Sequence, residues 1–266
     1  MEAMTVGRQD DIDIALRREG ETIDDILGRR LRILQKERGY RFSIDSLLLA
    51  HFVQVKKGDS VADLGTGGGI ILLLLSHRSI CERMAGVEIQ EELADMARRS
   101  IKINGLEKGI EVLSGDIRQI KTFLEPQAFD VVIFNPPYRK LNSGRINPDQ
   151  EKAVARHEIK GTLGDFLLAA KHIVKESGCV YIIYPATRMA ELFFRMRDCD
   201  IEPRRLRMVH SGRSSRAEFV LMEGKRGGGE ELKVSEPLFI YEENGRYTGE
   251  TENIFRELST PPSFFS

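Results

Sequence analysis

The 266-residue chain is poor in cysteine, in long apolar runs and in net charge. Its three cysteines, Cys81, Cys179 and Cys199, lie far apart and form no C-x-x-C pair. That argues against a disulfide scaffold or a thiolate zinc site and fits a reducing cytoplasm. The five histidines show no ligand spacing, so no metal is expected. The longest apolar stretch, Ile70 to Leu75, is far too short to span a bilayer. The N-terminus, with Asp10, Asp11 and Asp13, lacks a basic segment followed by an apolar one, so neither a secretory leader nor a membrane role is expected. No internal repeat is visible.

What is there is charge of both signs, unevenly placed. The net charge is −1, unlike the basic balance of many nucleic-acid binders. Residues 1–28 hold eight acids against Arg8, Arg17 and Arg18; residues 29–41 then carry Arg29, Arg30, Arg32, Lys36, Arg38 and Arg41 against Glu37 alone. A second basic stretch runs from Arg204, Arg205 and Arg207 through Arg213 and Arg216 to Arg226. Such runs are solvated faces or grips for phosphates.

At 41% hydrophobic the chain buries one large core. Leu31 to Gln35 alternates as a short strand or hairpin arm, and Ser43 to Val55 reads as a helix capped by Ser43. From Gly58 onward strands and helices alternate. Strands are predicted at 60–64, 84–88, 110–113, 129–134, 179–184, 205–210 and 218–222, with helices at 70–77, 91–104, 165–175 and 188–197. That order predicts an α/β, Rossmann-like fold: a mostly parallel seven-stranded sheet with helices on both faces. The expected division is an N-terminal extension over 1–40, frayed at its start, a catalytic domain over 41–226 and a tail over 227–266. Arg139 to Gly164 and the tail read as irregular, the former as a lid, a substrate arm or a surface connection.

The apolar run Phe129-Asp130-Val131-Val132-Ile133-Phe134 stops at Asn135-Pro136-Pro137-Tyr138. Two prolines end the strand and leave Asn135 and Tyr138 at its C-terminal end, where open α/β sheets bind ligands. This turn suits one chemical problem. An exocyclic adenine amine, or a glutamine amide, is a poor nucleophile because its lone pair is delocalised; accepting hydrogen bonds from both its N–H groups frees that pair. The Asn135 side-chain oxygen and the Pro136 carbonyl are two such acceptors, and Tyr138 offers a face on which a planar group stacks. The plainer alternative is a strand-ending turn.

Asp63-Leu64-Gly65-Thr66-Gly67-Gly68-Gly69 joins the first regular strand to its helix. Glycines there let the chain turn sharply and a ligand approach closely. Glu88, ending the next strand, is placed to accept from two ribose hydroxyls, and Asp116 after the third strand to accept from an adenine amine. A nicotinamide dehydrogenase would want glycine where Ile70 stands, and it leaves Asp63 unexplained. Asp63 is instead available to the amino-acid part of S-adenosylmethionine. Each acid is alternatively a helix or turn cap.

With these residues in place the chain resembles the class I S-adenosylmethionine-dependent methyltransferases that carry N-P-P-Y. The segments Thr22 to Asp24, Ile33 to Gln35 and Arg41 to Ala50 resemble the N-terminal signature of the bacterial tRNA(Val) adenine-37 N6-methyltransferase family. The resemblance implies S-adenosylmethionine as cofactor, held by Asp63, Gly65, Thr66, Gly67, Gly69, Glu88, Ile89, Asp116, Ile117 and Asn135, with Phe42 and Asp45 close to it. It implies catalysis by Asn135, Pro136 and Tyr138 on an adenine amine in RNA, with Arg29, Arg30, Arg32, Arg204, Arg205 and Arg207 as the expected tRNA contacts. Two other readings are a methyltransferase acting on a protein glutamine, as on a release factor, and a noncatalytic RNA-binding module of the same fold.

Overall fold

The alternating pattern is realised in full. The structure is a computed structural model describing residues 15–137 and 161–260, apart from 29, 40 and 80. A hairpin of β1 (Glu21–Ile26) and β2 (Leu31–Lys36) precedes α1 (Ile44–Phe52). Then follow β3 (Ser60–Leu64), α2 (Ile70–Arg78), β4 (Arg83–Glu88), α3 (Glu91–Ile103), β5 (Ile110–Ser114) and a 3-10 segment (Ile117–Thr122). The chain continues through β6 (Phe129–Phe134), α4 (Leu163–Ile173), β7 (Val174–Pro185), α5 (Met189–Asp198), β8 (Ile201–His210) and β9 (Ala217–Arg226). It closes with the two-residue strands β10 (Lys233–Val234) and β11 (Leu238–Phe239) and helix α6 (Gly249–Leu258).

The seven strands β3 to β9 are those expected, and β10 and β11 extend their sheet by pairing with β8. The order is β10-β8-β9-β7-β6-β3-β4-β5, and within this sheet β9 runs antiparallel to the other strands. From β3 the chain steps outward through β4 and β5, then returns to lay β6 on the other side of β3. This reversal opens a crevice at the C-terminal ends of β3 and β6.

Alternation along the strands divides the core. Val61, Val131, Ile133, Tyr181 and Ile183 face α1, α2, α3 and α6, while Ala62, Leu64, Val132, Phe134 and Ile182 face α4 and α5. Strand β3 is buried along its whole length, as expected of a parallel strand covered on both faces. Helix α4 starts at Leu163, two residues earlier than expected, because Thr162 and Asp165 form a reciprocal capping box. The stretch after Gly227, expected to be irregular, instead adds β10, β11 and α6: Leu238, Ile240, Ile254 and Leu258 are buried in the core that α1 and α2 share.

The arm Leu31 to Gln35 finds its partner in Glu21–Ile26, and the hairpin docks on α3. Leu34 packs among Leu93, Met96 and Ile103. The outer edge of β2 is satisfied by side chains: Leu34 N–H donates to Ser100 Oγ at 3.0 Å, and Asn104 both accepts from Arg32 N–H at 3.0 Å and donates to Arg32 C=O at 2.7 Å. That consumes groups an exposed edge strand would offer to another chain. Below it Arg99 donates to both oxygens of Glu21, at 2.6 and 2.8 Å, and to Asp95 at 2.9 Å. Glu21 is 2% exposed and Arg99 9%. The guanidinium holds the Glu21 carboxyl below its ordinary range.

Removing Glu21 leaves the largely buried Arg99 charge with Asp95 as its remaining carboxylate partner among the described residues. Glu21→Ala should cost roughly 3–5 kcal/mol, read as a lower urea midpoint with an unchanged m-value. A midpoint equal to the unsubstituted protein's would mean that this pair does not hold the hairpin down.

Candidate active site

The glycine turn follows from the end of β3. Gly65, Gly67 and Gly69 have φ of 71°, 57° and 84°, a region that L side chains rarely adopt. A Cβ at Gly65 would lie 3.1 Å from the Phe166 ring. Gly65 and Thr66 N–H groups donate to Val87 C=O at 2.7 and 3.0 Å, which ties the turn to β4. One residue further on, Gly67 N–H donates to Glu88 Oε2 at 3.0 Å, while Glu88 Oε1 accepts from Gln90 N–H at 3.0 Å and Gln90 Nε2 at 3.2 Å. Glu88 is thus oriented by its own loop at the mouth of a cleft.

That cleft has a volume of about 320 Å³. Of the expected site residues it brings together Phe42, Asp45, Gly65, Thr66, Gly67, Glu88, Ile89, Asp116, Ile117, Asn135 and Pro136. Asp63 and Gly69 do not line it. Asp63 is 1% exposed and accepts from the Thr66 hydroxyl at 2.7 Å, so it braces the glycine turn from below instead of facing the cleft. Gly69 caps α2 and packs toward Ala97 of α3. Tyr138 and Arg29 lie outside the described residues.

Asn135 sits where β6 ends. Its Nδ2 donates to Asp45 Oδ2 at 3.0 Å. Its Oδ1 is buried and meets no hydrogen-bond donor among the described residues. Asp45 is held in turn by Ser46 N–H at 3.0 Å and by the Ser43 hydroxyl. Ser43 does stand at the N-cap of α1, but it donates to Asp45 and does not cap the helix with its side chain. Phe42 reaches the cleft from the hairpin, its N–H donating to Gln35 Oε1 at 3.1 Å. Gln35 and Arg41 both bond to Asp24.

Asp116 caps the segment after β5 and accepts from Arg118 through both oxygens, at 2.6 to 2.9 Å. The guanidinium keeps its carboxyl below the usual range. Its expected role toward an adenine amine therefore has to share the carboxylate with Arg118.

Arg41, Ser46 and Pro137, from the two segments read as motifs, also line the cleft, as do Gln90, Gly115 and Phe166. Phe166 was readable only as an apolar helix position. Its ring lies 5.4 Å from that of Phe134, under the glycine turn. The expected arginines among the described residues have partners within the fold. Arg205 pairs with Glu223 at 2.8 Å, donates to Phe52 C=O at 2.9 Å and lies 3.8 Å above the Phe52 ring. Arg207 pairs with Glu250 and donates to Glu236 C=O. Both fasten helices to the sheet, their long stems lying along the face that α1 and α6 cover. Arg204 and Arg30 donate to the carbonyls of Gly229 and Ser259, and Arg32 is joined through its backbone to Asn104.

A parallel sheet whose strand order reverses above a glycine turn, with an acid ending the next strand, defines a Rossmann-like protein with a nucleotide-type cleft. The chain belongs to the methyltransferase small-domain family, whose model matches residues 41–187. A protein from Porphyromonas gingivalis named tRNA1(Val) (adenine(37)-N6)-methyltransferase is 29% identical over 62% of this chain and 66% of its own length. One of the same name from Tolumonas auensis is 26% identical over 84% of this chain and 91% of its own. The match thus spans just under two thirds of the Porphyromonas relative and 58% of a Bacteroides thetaiotaomicron relative. A solved structure from Agrobacterium tumefaciens, described as a predicted O-methyltransferase, shares the fold with a TM-score of 0.66 at 22% identity, covering 83% of this chain and all of that one. No helix among the described residues is long and apolar enough to cross a membrane.

Burial pushes the Asp63 carboxyl up to about 7, with the Thr66 hydroxyl opposing and Glu88 adding to the rise. The folded protein holds this proton more tightly than the unfolded chain. The resulting stability is present in full below the ordinary value of 3.8 and is lost as pH rises through about 7. Asp63→Asn, uncharged throughout, should melt near the unsubstituted protein at about pH 4 and progressively above it toward about pH 8. A melting difference independent of pH would show that Asp63 ionises like an exposed carboxyl.

Proposed function

We propose that this protein transfers the methyl group of S-adenosylmethionine to the N6 amine of an adenine in RNA, with tRNA as the substrate class. The observation that carries the reading is the Asn135 amide: its nitrogen is committed to Asp45 and its oxygen lacks a donor among the described residues. That is what a site built to receive an N–H group needs.

The cofactor fits the donor set. The glycine turn admits a ligand close to backbone, Glu88 is oriented to accept from ribose hydroxyls, and two carboxylates besides the one that Asn135 engages, Glu88 and Asp116, line a cleft suited to a cationic molecule. When bound, the cofactor supplies an electrophilic methyl group on a sulfonium. The chain's own residues do the rest. Asn135 Oδ1 and the Pro136 carbonyl accept the amine's two N–H bonds, freeing its lone pair and holding it in line. Tyr138, after Pro137 in the sequence, is the residue proposed to stack on a base drawn out of its stack. The proton lost on methylation passes to water, so no dedicated base and no metal are called for.

RNA is favoured over a protein glutamine by the names of the curated relatives and by exposed Arg213 and Arg216 in the β8–β9 turn. That turn lies on the sheet edge where β6 also ends, because β8 runs in the same direction as β6. These two arginines replace Arg205 and Arg207 as the proposed phosphate contacts. In this reading residues 41–226 form the catalytic domain, 1–40 and 227–266 flank it, and the protein works in the cytoplasm.

With labelled S-adenosylmethionine, the protein should methylate tRNA that lacks its own modification, and Asn135→Ala should reduce turnover at least about 100-fold while cofactor binding stays within a few-fold. Label entering a release-factor peptide and not RNA would replace the substrate; unaltered turnover in Asn135→Ala would remove the mechanism.

A further inference from the structure

We infer that Asp45 sets the polarity of the Asn135 amide, so that the site presents only an acceptor to its substrate. Four observations bear on this. A carboxylate can only accept hydrogen bonds, so the group that Asn135 turns toward Asp45 Oδ2 at 3.0 Å is its NH2. The amide is planar, so directing Nδ2 to Asp45 directs Oδ1 the other way, where it is buried and meets no donor among the described residues. A flipped amide would set Oδ1 against the carboxylate, lone pair to lone pair, and put a donor where the acceptor now stands. Finally, Asp45 cannot readily turn aside: it is 7% exposed, and its other oxygen accepts from Ser46 N–H at 3.0 Å and from the Ser43 hydroxyl.

The hydrogen bond spans 90 residues of sequence and joins the first turn of α1 to the end of β6. Asp45 is therefore a positioning residue acting through Asn135. The arrangement takes an amino group, which brings N–H donors, and refuses a carbonyl, which would meet Oδ1 acceptor to acceptor. Selection of adenine over a keto purine follows from that polarity, and so would selection of a primary amide. The inference rests on the reading of the site as an N-methyltransferase only for its kinetic arm.

Two variants test it. Asp45→Asn keeps the shape, but its own NH2 can donate to Asn135 Oδ1 and so both occupies the acceptor and permits the flip. Asp45→Ala removes the restraint altogether. With S-adenosylmethionine and unmodified tRNA, Asp45→Asn should lower kcat at least tenfold with KM for the cofactor changed by less than twofold. Unchanged kcat, or a loss confined to cofactor KM, would overturn the inference by making Asp45 a bystander or a cofactor contact. The second arm needs no substrate. In 15N-labelled protein the side-chain amide signals of Asn135, identified by their loss in Asn135→Ala, should exchange with solvent at least tenfold more slowly than in Asp45→Ala, with thermal unfolding recorded alongside. Equal exchange in a folded Asp45→Ala would overturn it. If RNA takes no methyl group while the exchange difference holds, the substrate reading fails and the positioning role stands.

Discussion

The reversal of strand order about β3 is the constraint on which the rest depends. Because β4 and β5 are laid on one side of β3 and β6 on the other, the ends of these strands diverge and leave a crevice. Every residue of the candidate site enters it from such an end or from an element packed across it. The glycine turn leaves β3, Glu88 ends β4, Asp116 follows β5 and Asn135 follows β6. Full burial of β3, with α1 and α2 on one face and α4 on the other, holds these ends in register. The hairpin then closes one side of the cleft: its docking on α3 through Glu21 and Arg99 brings Arg41 and Phe42 to the rim.

Two kinds of acid serve the site, and their surroundings separate them. Asp63 is sealed under the turn, bonded to Thr66, and rises toward neutrality through burial. Glu88, Asp45 and Asp116 keep contact with the cleft, each with one or more fixed donors. A buried polar group stays only where it is bonded, and Asn135 Oδ1 stands out as a side-chain oxygen that the described residues leave unbonded. Such an atom at a strand end, beside a cleft lined by carboxylates, is better explained by a substrate donor than by packing.

Much of this was legible in the residues. The strands from β3 to β9 were foreseen: β3 to β7, parallel and covered on both faces, read as apolar runs mostly bounded by glycine or proline, and β8 and β9 as a closing pair. Asn135 and Glu88 were legible too, since both sit where a run stops. Other features depended on distant partners. Strand β1 carries Glu21, Asp24 and Asp25, a composition poor for a strand until Arg99 and Arg41 neutralise Glu21 and Asp24 across the fold. Helix α6 was hidden because the core it covers is assembled from α1, α2 and the sheet. The partners of the arginine runs were hidden for the same reason: charge along a chain does not say which guanidinium lies over Phe52 or reaches Glu250. Asp45 was placed near the cleft, yet nothing local could reveal that it holds Asn135.

The most direct test of the central claim is a mass-spectrometric nucleoside profile of tRNA, drawn from a strain lacking this protein and incubated with the purified protein and S-adenosylmethionine. N6-methyladenosine should rise as the one nucleoside changed, and should not rise with Asn135→Ala. Appearance of the methyl group on another nucleoside, or an unchanged profile beside methylation of a protein amide, would contradict it.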